Sequence, residues 1–280
     1  MKYYKNLLTI GIPAFNEAKY IRKTIESCIT QAGCVIVSDN ASTDDTQKIC
    51  EELAQKYSNL VYIRHAENVG GTVNFNFLLK EAKTKYFMWM GGHDYLDEGY
   101  TKHMLHILEN SDAVGCYPTS RAIDNEDVEI GIYDFWYASR LTSDYEAERV
   151  YCLIAHLHEV SALFGIFRTK VAQKFPMKAM IGNDHVFVCN MAREGKLIYS
   201  PRSIYDWRQT KIEFSEEDQV KLWQKSLGNS QSKVSASREE MRQGQLNILK
   251  QCSSRGYGLF GKFFLEQKAK KKLQKRFGDK

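Results

Sequence analysis

Strand–helix alternation constrains this chain more than any other feature. Four short apolar runs occupy residues 7–11 (LLTIG), 34–37 (CVIV), 60–64 (LVYIR) and 86–90 (YFMWM). Helix-like segments separate them. In residues 19–30 the apolar positions Tyr20, Ile21, Ile25, Cys28 and Ile29 recur at the spacing of one helical face. A second helix is expected from the polar stretch 41–46 to about Tyr57, and a third from about Thr72 to Ala82. Consecutive strands joined by helices pair in parallel, so the pattern predicts a parallel sheet covered on both faces. Pro13 closes the first strand, because proline cannot donate to a sheet ladder. The loops at Pro13, Asp39, Asn68 and Asp94 all follow strand C-termini. They therefore share one edge of the sheet, the edge where open α/β sheets bind ligands.

The central run continues as Gly91-Gly92-His93-Asp94. A buried strand ending in two glycines and a carboxylate presents Asp94 at that edge, as a hard oxygen ligand suited to Mg²⁺ or Mn²⁺. Glu17 and Asp39 are carboxylates that suit ribose hydroxyls and a nucleobase N–H. Gly70 and Gly71 permit close backbone approach, and the helix that follows favours an anion such as a diphosphate. Asp39 and Asp44 suit a turn or a helix cap equally well. Asn68 and Asn74 also suit side chain-to-backbone bonding.

Four blocks, IGIPAFNEAKYI, VSDNASTDDT, ENVGGTVNFN and WMGGHDYL, resemble in order and spacing the nucleotide-binding half of the family 2 inverting glycosyltransferases. The resemblance is strong over residues 5–115 and weaker beyond. It implies a GT-A fold, Rossmann-like, with a mostly parallel sheet and helices on both faces. It implies that Pro13, Ala14 and Glu17 line a nucleoside pocket, that Asp39 contacts the base, and that Gly71 and Asn74 lie near the sugar nucleotide. Asp94 matches the last acid of the family's metal motif, Asp-x-Asp-Asp. Gly91 and His93 stand where earlier acids occur, which leaves one carboxylate with an imidazole beside it; Mn²⁺ tolerates that nitrogen better than Mg²⁺. Asp184, after Gly182 and Asn183, matches the general base. It also suits a helix cap. Arg208, in the segment YDWR, is a weaker candidate for the donor diphosphate.

The implied reaction moves a sugar from a nucleotide donor, a UDP-sugar in the favoured reading, to a hydroxyl of a surface glycan or lipid-linked glycan. A sugar nucleotidyltransferase would want a glycine-rich basic signature near residue 11, and none is there. A weak or inactive partner subunit of the same fold is the other alternative, suggested by the missing acids.

The remaining features set the surroundings. The expected division is a donor half at residues 1–115, an acceptor half at 116–210, and a helical extension at 211–280. Seven scattered cysteines without a CxxC pair fit reduced core residues rather than a disulfide framework or zinc site. No signal peptide or membrane span is expected, which points to a cytoplasmic protein. The net charge of +5 is concentrated: residues 256–280 carry +6, leaving −1 for the body. Phe260, Phe263, Phe264, Leu273 and Phe277 are expected to share a helical face among those lysines. That predicts peripheral binding of residues 256–280 to an anionic membrane surface, and no nucleic-acid partner.

Overall fold

The structure is a computed structural model that describes residues 6–133, 137–156, 161–180, 182–209, 234–256 and 258–277. The first half alternates as expected. β1 (Leu8–Ala14), β2 (Cys34–Asp39), β3 (Leu60–Arg64) and β4 (Tyr86–Trp89) are separated by α1 (Ile21–Ile29), α2 (Thr46–Lys56) and α3 (Gly71–Glu81). After the short β5 (Tyr95–Leu96) comes α4 (Tyr100–Glu109), and then β6 (Gly115–Ile123) and β7 (Glu129–Tyr133). There follow α5 (Glu146–His156), β8 (Ile166–Arg168), the single turn α6 (Thr169–Ala172), α7 (Asn183–Glu194) and β9 (Leu197–Arg208). Two helices end the chain, α8 (Val234–Gln251) and α9 (Gly258–Phe277).

Among the described residues the strands form one sheet in the order β3-β2-β1-β4-β8-β6-β9-β5, with β7 pairing the C-terminal end of β6 off this path. β3, β2, β1 and β4 are parallel. β8 is antiparallel to both β4 and β6 and joins the two halves into a continuous sheet. Side chains alternate between its faces. Tyr86, Met88 and Met90 pack with α1, α2 and α4. Phe87 and Trp89 pack on the other face with α3, α5, α7 and α8. Trp89 meets Phe87 and Phe187 edge-on at 4.9 and 5.0 Å, and its indole N–H donates to the Phe75 carbonyl at 3.0 Å.

Some elements differ from the sequence expectation. The short apolar runs at 113–117 and 196–199 open two long strands, β6 and β9. β6 and β9 pair in parallel from Gly115↔Leu197 to Ile123↔Arg208, with a register shift between Pro118 and Thr119. This long-range pairing carries the segment YDWR into a strand, which its local composition does not reveal. The apolar run LFGIFR over 163–168 is a strand only in its second half, Ile166–Arg168, because it opens within a 3₁₀ turn, Ser161–Phe164. In the C-terminal extension Leu273 is buried while Phe263 and Phe264 are more than half exposed. The single apolar face expected there is thus split, because α9 uses Ala269 and Leu273 to pack on the body. The side chains of Phe260 and Phe277, and the part of the expected helix over 214–233, lie outside the described residues. No helix among the described residues is long and apolar enough to cross a membrane. All seven cysteines are free, six of them buried.

Candidate active site

The chain runs outward from β1 through β2 to β3 and then crosses back to β4 on the other side of β1, so the strand order reverses between β1 and β4. The crevice at such a switch point receives the loops after all three strands. The loop after β1 is stitched to the loop after β2. Asn16 N–H donates to Ser42 Oγ at 2.9 Å, Glu17 N–H to Thr46 Oγ1 at 2.8 Å, and Ala18 N–H to Asp44 Oδ2 at 3.0 Å. Asn16 and Ala41 have φ of 57° and 61°, left-handed values that cost a non-glycine residue free energy. The stitches hold them there, and strain of this kind concentrates at functional edges.

Asp39 is buried at the end of β2. Its Oδ1 accepts from the Ser42 N–H (2.8 Å) and hydroxyl (2.6 Å), and its Oδ2 from the Tyr62 hydroxyl (2.6 Å), with Arg64 Nε at 3.6 Å. Pro13 and Ala14 form the end of β1 beside it. Asn68 Oδ1 accepts from Asn40 Nδ2 and from the Gly70 N–H, each at 2.9 Å, which shapes the approach to α3. Gly70 has φ 87° and precedes Gly71, the first residue of that helix. Asn74 is buried one turn further on. It donates to the Ser38 carbonyl at 2.9 Å, and its Oδ1 takes the Ser38 hydroxyl.

The loop after β4 is the most tightly built part. Asp94 is 1% exposed. Its Oδ2 accepts from the Tyr205 hydroxyl at 2.7 Å and its Oδ1 from the Arg208 N–H at 2.8 Å, both on β9. Burial raises its pKa, against the opposing pull of His93 and these two donors. A Cβ on Gly91 would lie 2.2 Å from Asp94 Oδ2, so the carboxylate occupies the space that any side chain at 91 would need. Gly92 is likewise close to Glu17, with 2.9 Å from an added Cβ to Glu17 Cγ. Glycine at both positions thus follows from two carboxylates folded against the turn.

His93 joins the two loops. Its Nδ1 lies 2.9 Å from Glu17 Oε1 and its Nε2 3.9 Å from Asp94 Oδ1. Burial alone would lower its pKa, but the Glu17 hydrogen bond and the charges of Asp94 and Glu17 outweigh it and push it up to about 9. At neutral pH the ring is therefore an imidazolium, a cation at the mouth of the crevice. The ordinary histidine value is 6.5. The resulting stabilisation is fully present below that value and is lost as the pH rises through 9. The side chain is about one-third exposed, so solvent screening reduces the effect to about 1 kcal/mol. Thermal melts of wild type and His93→Gln should differ at about pH 6 and converge by about pH 10. A constant difference across that range would mean that His93 stabilises by packing alone.

Arg208 closes the back of the site. It is 3% exposed, with Nε donating to the His93 carbonyl at 3.0 Å and Nη1 to the Asp124 carbonyl. Nη2 reaches Asp127, and the guanidinium lies 4.2 Å from the centre of the Tyr20 ring. Asp184 sits on the first turn of α7, after Gly182, whose φ is 69°. Its Oδ1 accepts from the His185 N–H at 2.7 Å. Asn183 Nδ2 donates to Thr72 Oγ1 at 3.2 Å, which ties this turn to the head of α3 next to Gly71. The fold therefore sets Glu17, His93, Asp94 and Arg208 in one cluster and Asp184 against the Gly71 end of α3. Pro13 and Ala14 end β1, Asp39 ends β2, and Asn74 lies on the first turn of α3. Sequence reasoning missed the pairing of Glu17 with His93 and the part played by Tyr205. The first follows once β1 is known to neighbour β4; the second has no local signal.

The site's fit to a divalent cation rests on its donor chemistry. Asp94 Oδ1 and His93 Nε2 face each other. Each carboxylate oxygen of Asp94 carries one hydrogen bond and retains acceptor capacity. Among the described residues no group of three or more potential ligands exists. With His93 protonated only Asp94 offers free lone pairs, so the site fits a cation that takes its other ligands from a diphosphate and water. The proton on His93 competes for the same nitrogen.

A mixed sheet with a parallel donor-side half, helices on both faces and the binding loops at its switch point defines a GT-A protein. The chain belongs to glycosyl transferase family 2, whose family model matches residues 9–175. The crystal structure of Staphylococcus aureus TarS 1–349 in complex with UDP-GlcNAc superimposes with a TM-score of 0.59 at 15% identity, covering 96% of this chain and 81% of that one. An uncharacterized glycosyltransferase of Rickettsia prowazekii is 28% identical over 153 residues, 54% of this chain and 41% of the relative. The dolichyl N-acetyl-α-D-glucosaminyl phosphate 3-β-D-2,3-diacetamido-2,3-dideoxy-β-D-glucuronosyltransferase of Methanococcus voltae is 24% identical over 71% of this chain and 65% of its own length. The minor teichoic acid biosynthesis protein GgaB of Bacillus subtilis is 30% identical over 36% of this chain. The matched regions span 41%, 65% and 12% of these three relatives.

Proposed function

We propose that this protein transfers one sugar, with inversion, from a UDP-sugar to a hydroxyl of a surface glycan or lipid-linked glycan. The observation that carries this reading is the crevice beside β1. There Glu17, His93, Asp94 and Arg208 converge, and the Asn183–Thr72 contact draws the Asp184 turn to the head of α3. The names of three similar proteins agree with it: TarS in complex with UDP-GlcNAc, GgaB in teichoic acid synthesis, and the Methanococcus enzyme on a dolichyl phosphate acceptor.

In this reading residues 1–115 hold the donor and 116–210 the acceptor. Pro13, Ala14 and Glu17 line the nucleoside pocket, Asp39 faces the base, and Gly71, Asn74 and Arg208 border the sugar and its diphosphate. Asp94, with His93 once it has lost its proton, would hold Mg²⁺ or Mn²⁺, which would supply positive charge to the departing diphosphate. The head of α3 offers its backbone N–H groups to the same anion. Asp184 accepts the acceptor's hydroxyl proton as that oxygen attacks the anomeric carbon and the bond to the diphosphate breaks. Attack opposite the leaving group inverts the anomeric centre. The exposed Phe263, Phe264 and lysines of α9 hold the enzyme peripherally on an anionic membrane surface, at its cytoplasmic side. A partner subunit without catalysis is favoured by one observation, the replacement of two motif acids by Gly91 and His93.

The test is the anomeric configuration of the first product, read by NMR, with UDP-sugars and simple glycan acceptors. The proposal expects a glycoside of opposite configuration to the donor. A product of retained configuration would contradict it, and absence of transfer to any acceptor would favour the partner subunit.

A further inference from the structure

A second cavity opens at the opposite edge of the sheet, where β4 begins. It has a volume of about 1000 Å³ and is lined by residues from α3, the 82–85 loop, and the segment from Arg168 to Pro176. One β4 length separates it from the crevice, about 13 Å at the rise of a strand. Of its apolar lining, Val171 and Pro176 reach the surface, while Leu79 and Ala82 lie beneath it at 2% exposure each. Its wall carries Lys80, Lys83, Lys85, Arg168 and Lys170, and no carboxylate.

These cations divide into two sets. Arg168 is committed to the structure: Nε donates to the Ala113 carbonyl at 2.8 Å, and Nη2 to those of Leu108 and Ser111 at 2.9 Å each. Lys85 pairs with Glu109 at 2.6 Å. Lys80, Lys83 and Lys170 are exposed and have no ion-pair partner among the described residues; Lys83 Nζ makes one hydrogen bond, to the Lys80 carbonyl at 3.2 Å. Like charges gathered without acids raise the local potential in a body whose net charge is −1. A second observation comes from the wall itself. Thr169 is 3% exposed, and its hydroxyl oxygen has no hydrogen-bond partner among the described residues. A buried polar atom without a partner costs free energy unless something completes it.

We propose that this cavity binds a phosphate-bearing amphiphile. The phosphate is held by Lys80, Lys83 and Lys170 and offers an acceptor for the Thr169 hydroxyl, while the hydrocarbon lies on Val171, Pro176 and the aliphatic stems of the lysines. The lining contains no aromatic ring on which a sugar could stack, so a lipid-like tail fits better than a glycan. α3 has Gly71 at the crevice and Leu79 and Lys80 at this cavity. One rigid helix of about 15 Å therefore joins the two sites.

The experiment is a titration of the full chain with decyl phosphate below its micelle concentration, followed by amide chemical shifts, with inorganic phosphate and neutral decyl maltoside as parallel titrants. The proposal expects saturable shifts at Thr169 and Val171 with decyl phosphate. Binding should be at least tenfold weaker for the other two titrants, and at least tenfold weaker in K83E/K170E. Unchanged melting temperature of that variant shows that it folds. Equal affinity for inorganic phosphate would overturn the amphiphile in favour of a free-phosphate site. Equal affinity for decyl maltoside would overturn the anionic class. Failure of decyl phosphate to saturate, or undiminished binding to K83E/K170E, would overturn the site itself.

Discussion

Asp184→Asn is expected to lower kcat for sugar transfer by about 10²–10⁴-fold, the usual contribution of a positioned general base. Donor affinity and melting temperature should hold. Asp184 Oδ1 accepts the His185 N–H at 2.7 Å, a bond that the asparagine carbonyl oxygen retains, so the start of α7 is preserved. What is lost is the ability to take a proton. The Asn183–Thr72 bond is untouched and keeps the turn against α3. Single-turnover transfer and donor binding, measured side by side, separate the two effects. Near-normal turnover would leave Asp184 as a helix-start residue and place the base elsewhere.

Gly91→Ala is expected to be nearly as damaging, although it adds a single methyl group. That methyl would sit 2.2 Å from Asp94 Oδ2 and 2.9 Å from its Cγ. Asp94 must then move, which breaks its bonds to the Tyr205 hydroxyl and the Arg208 N–H. Each buried group left unpaired costs about 1–3 kcal/mol. Stability should therefore fall by about 2–4 kcal/mol, and donor binding should fall with it. Gly131→Ala is the control, because an added Cβ there meets nothing within 4 Å. Chemical denaturation of the two variants gives the comparison. Equal stability of Gly91→Ala and wild type would mean that the Asp94 cradle is not needed.

The donor-side fold is legible because its information is local. Alternation of apolar runs with helical spacing specifies β1 to β4 and their shared edge, and the alternating faces of 86–90 follow from strand geometry. The second half depends on pairing over long sequence separation. Nothing in residues 196–208 announces that they align with 115–123, and so β9 and its delivery of Tyr205 and Arg208 to Asp94 are visible only in the fold. The site divides the same way. Each candidate residue can be picked out by its place after a strand, but the order of strands is needed to bring Glu17 to His93. Chemistry of the His93 kind is hidden for a further reason: its charge state is set by two carboxylates, one of them 76 residues away. The tail shows the converse error. Its composition suggests one amphipathic face, whereas packing of Ala269 and Leu273 on the body leaves Phe263 and Phe264 on another.

The most direct measurement of the central claim is binding of a panel of nucleotide sugars, with Mn²⁺, Mg²⁺ or EDTA, to wild type and Asp94→Asn. The account predicts saturable binding of a UDP-sugar that is strengthened by the cation, and loss of that cation effect in a variant that still melts cooperatively. Failure of every nucleotide sugar to bind wild type, or binding identical in the variant with and without cation, would contradict it.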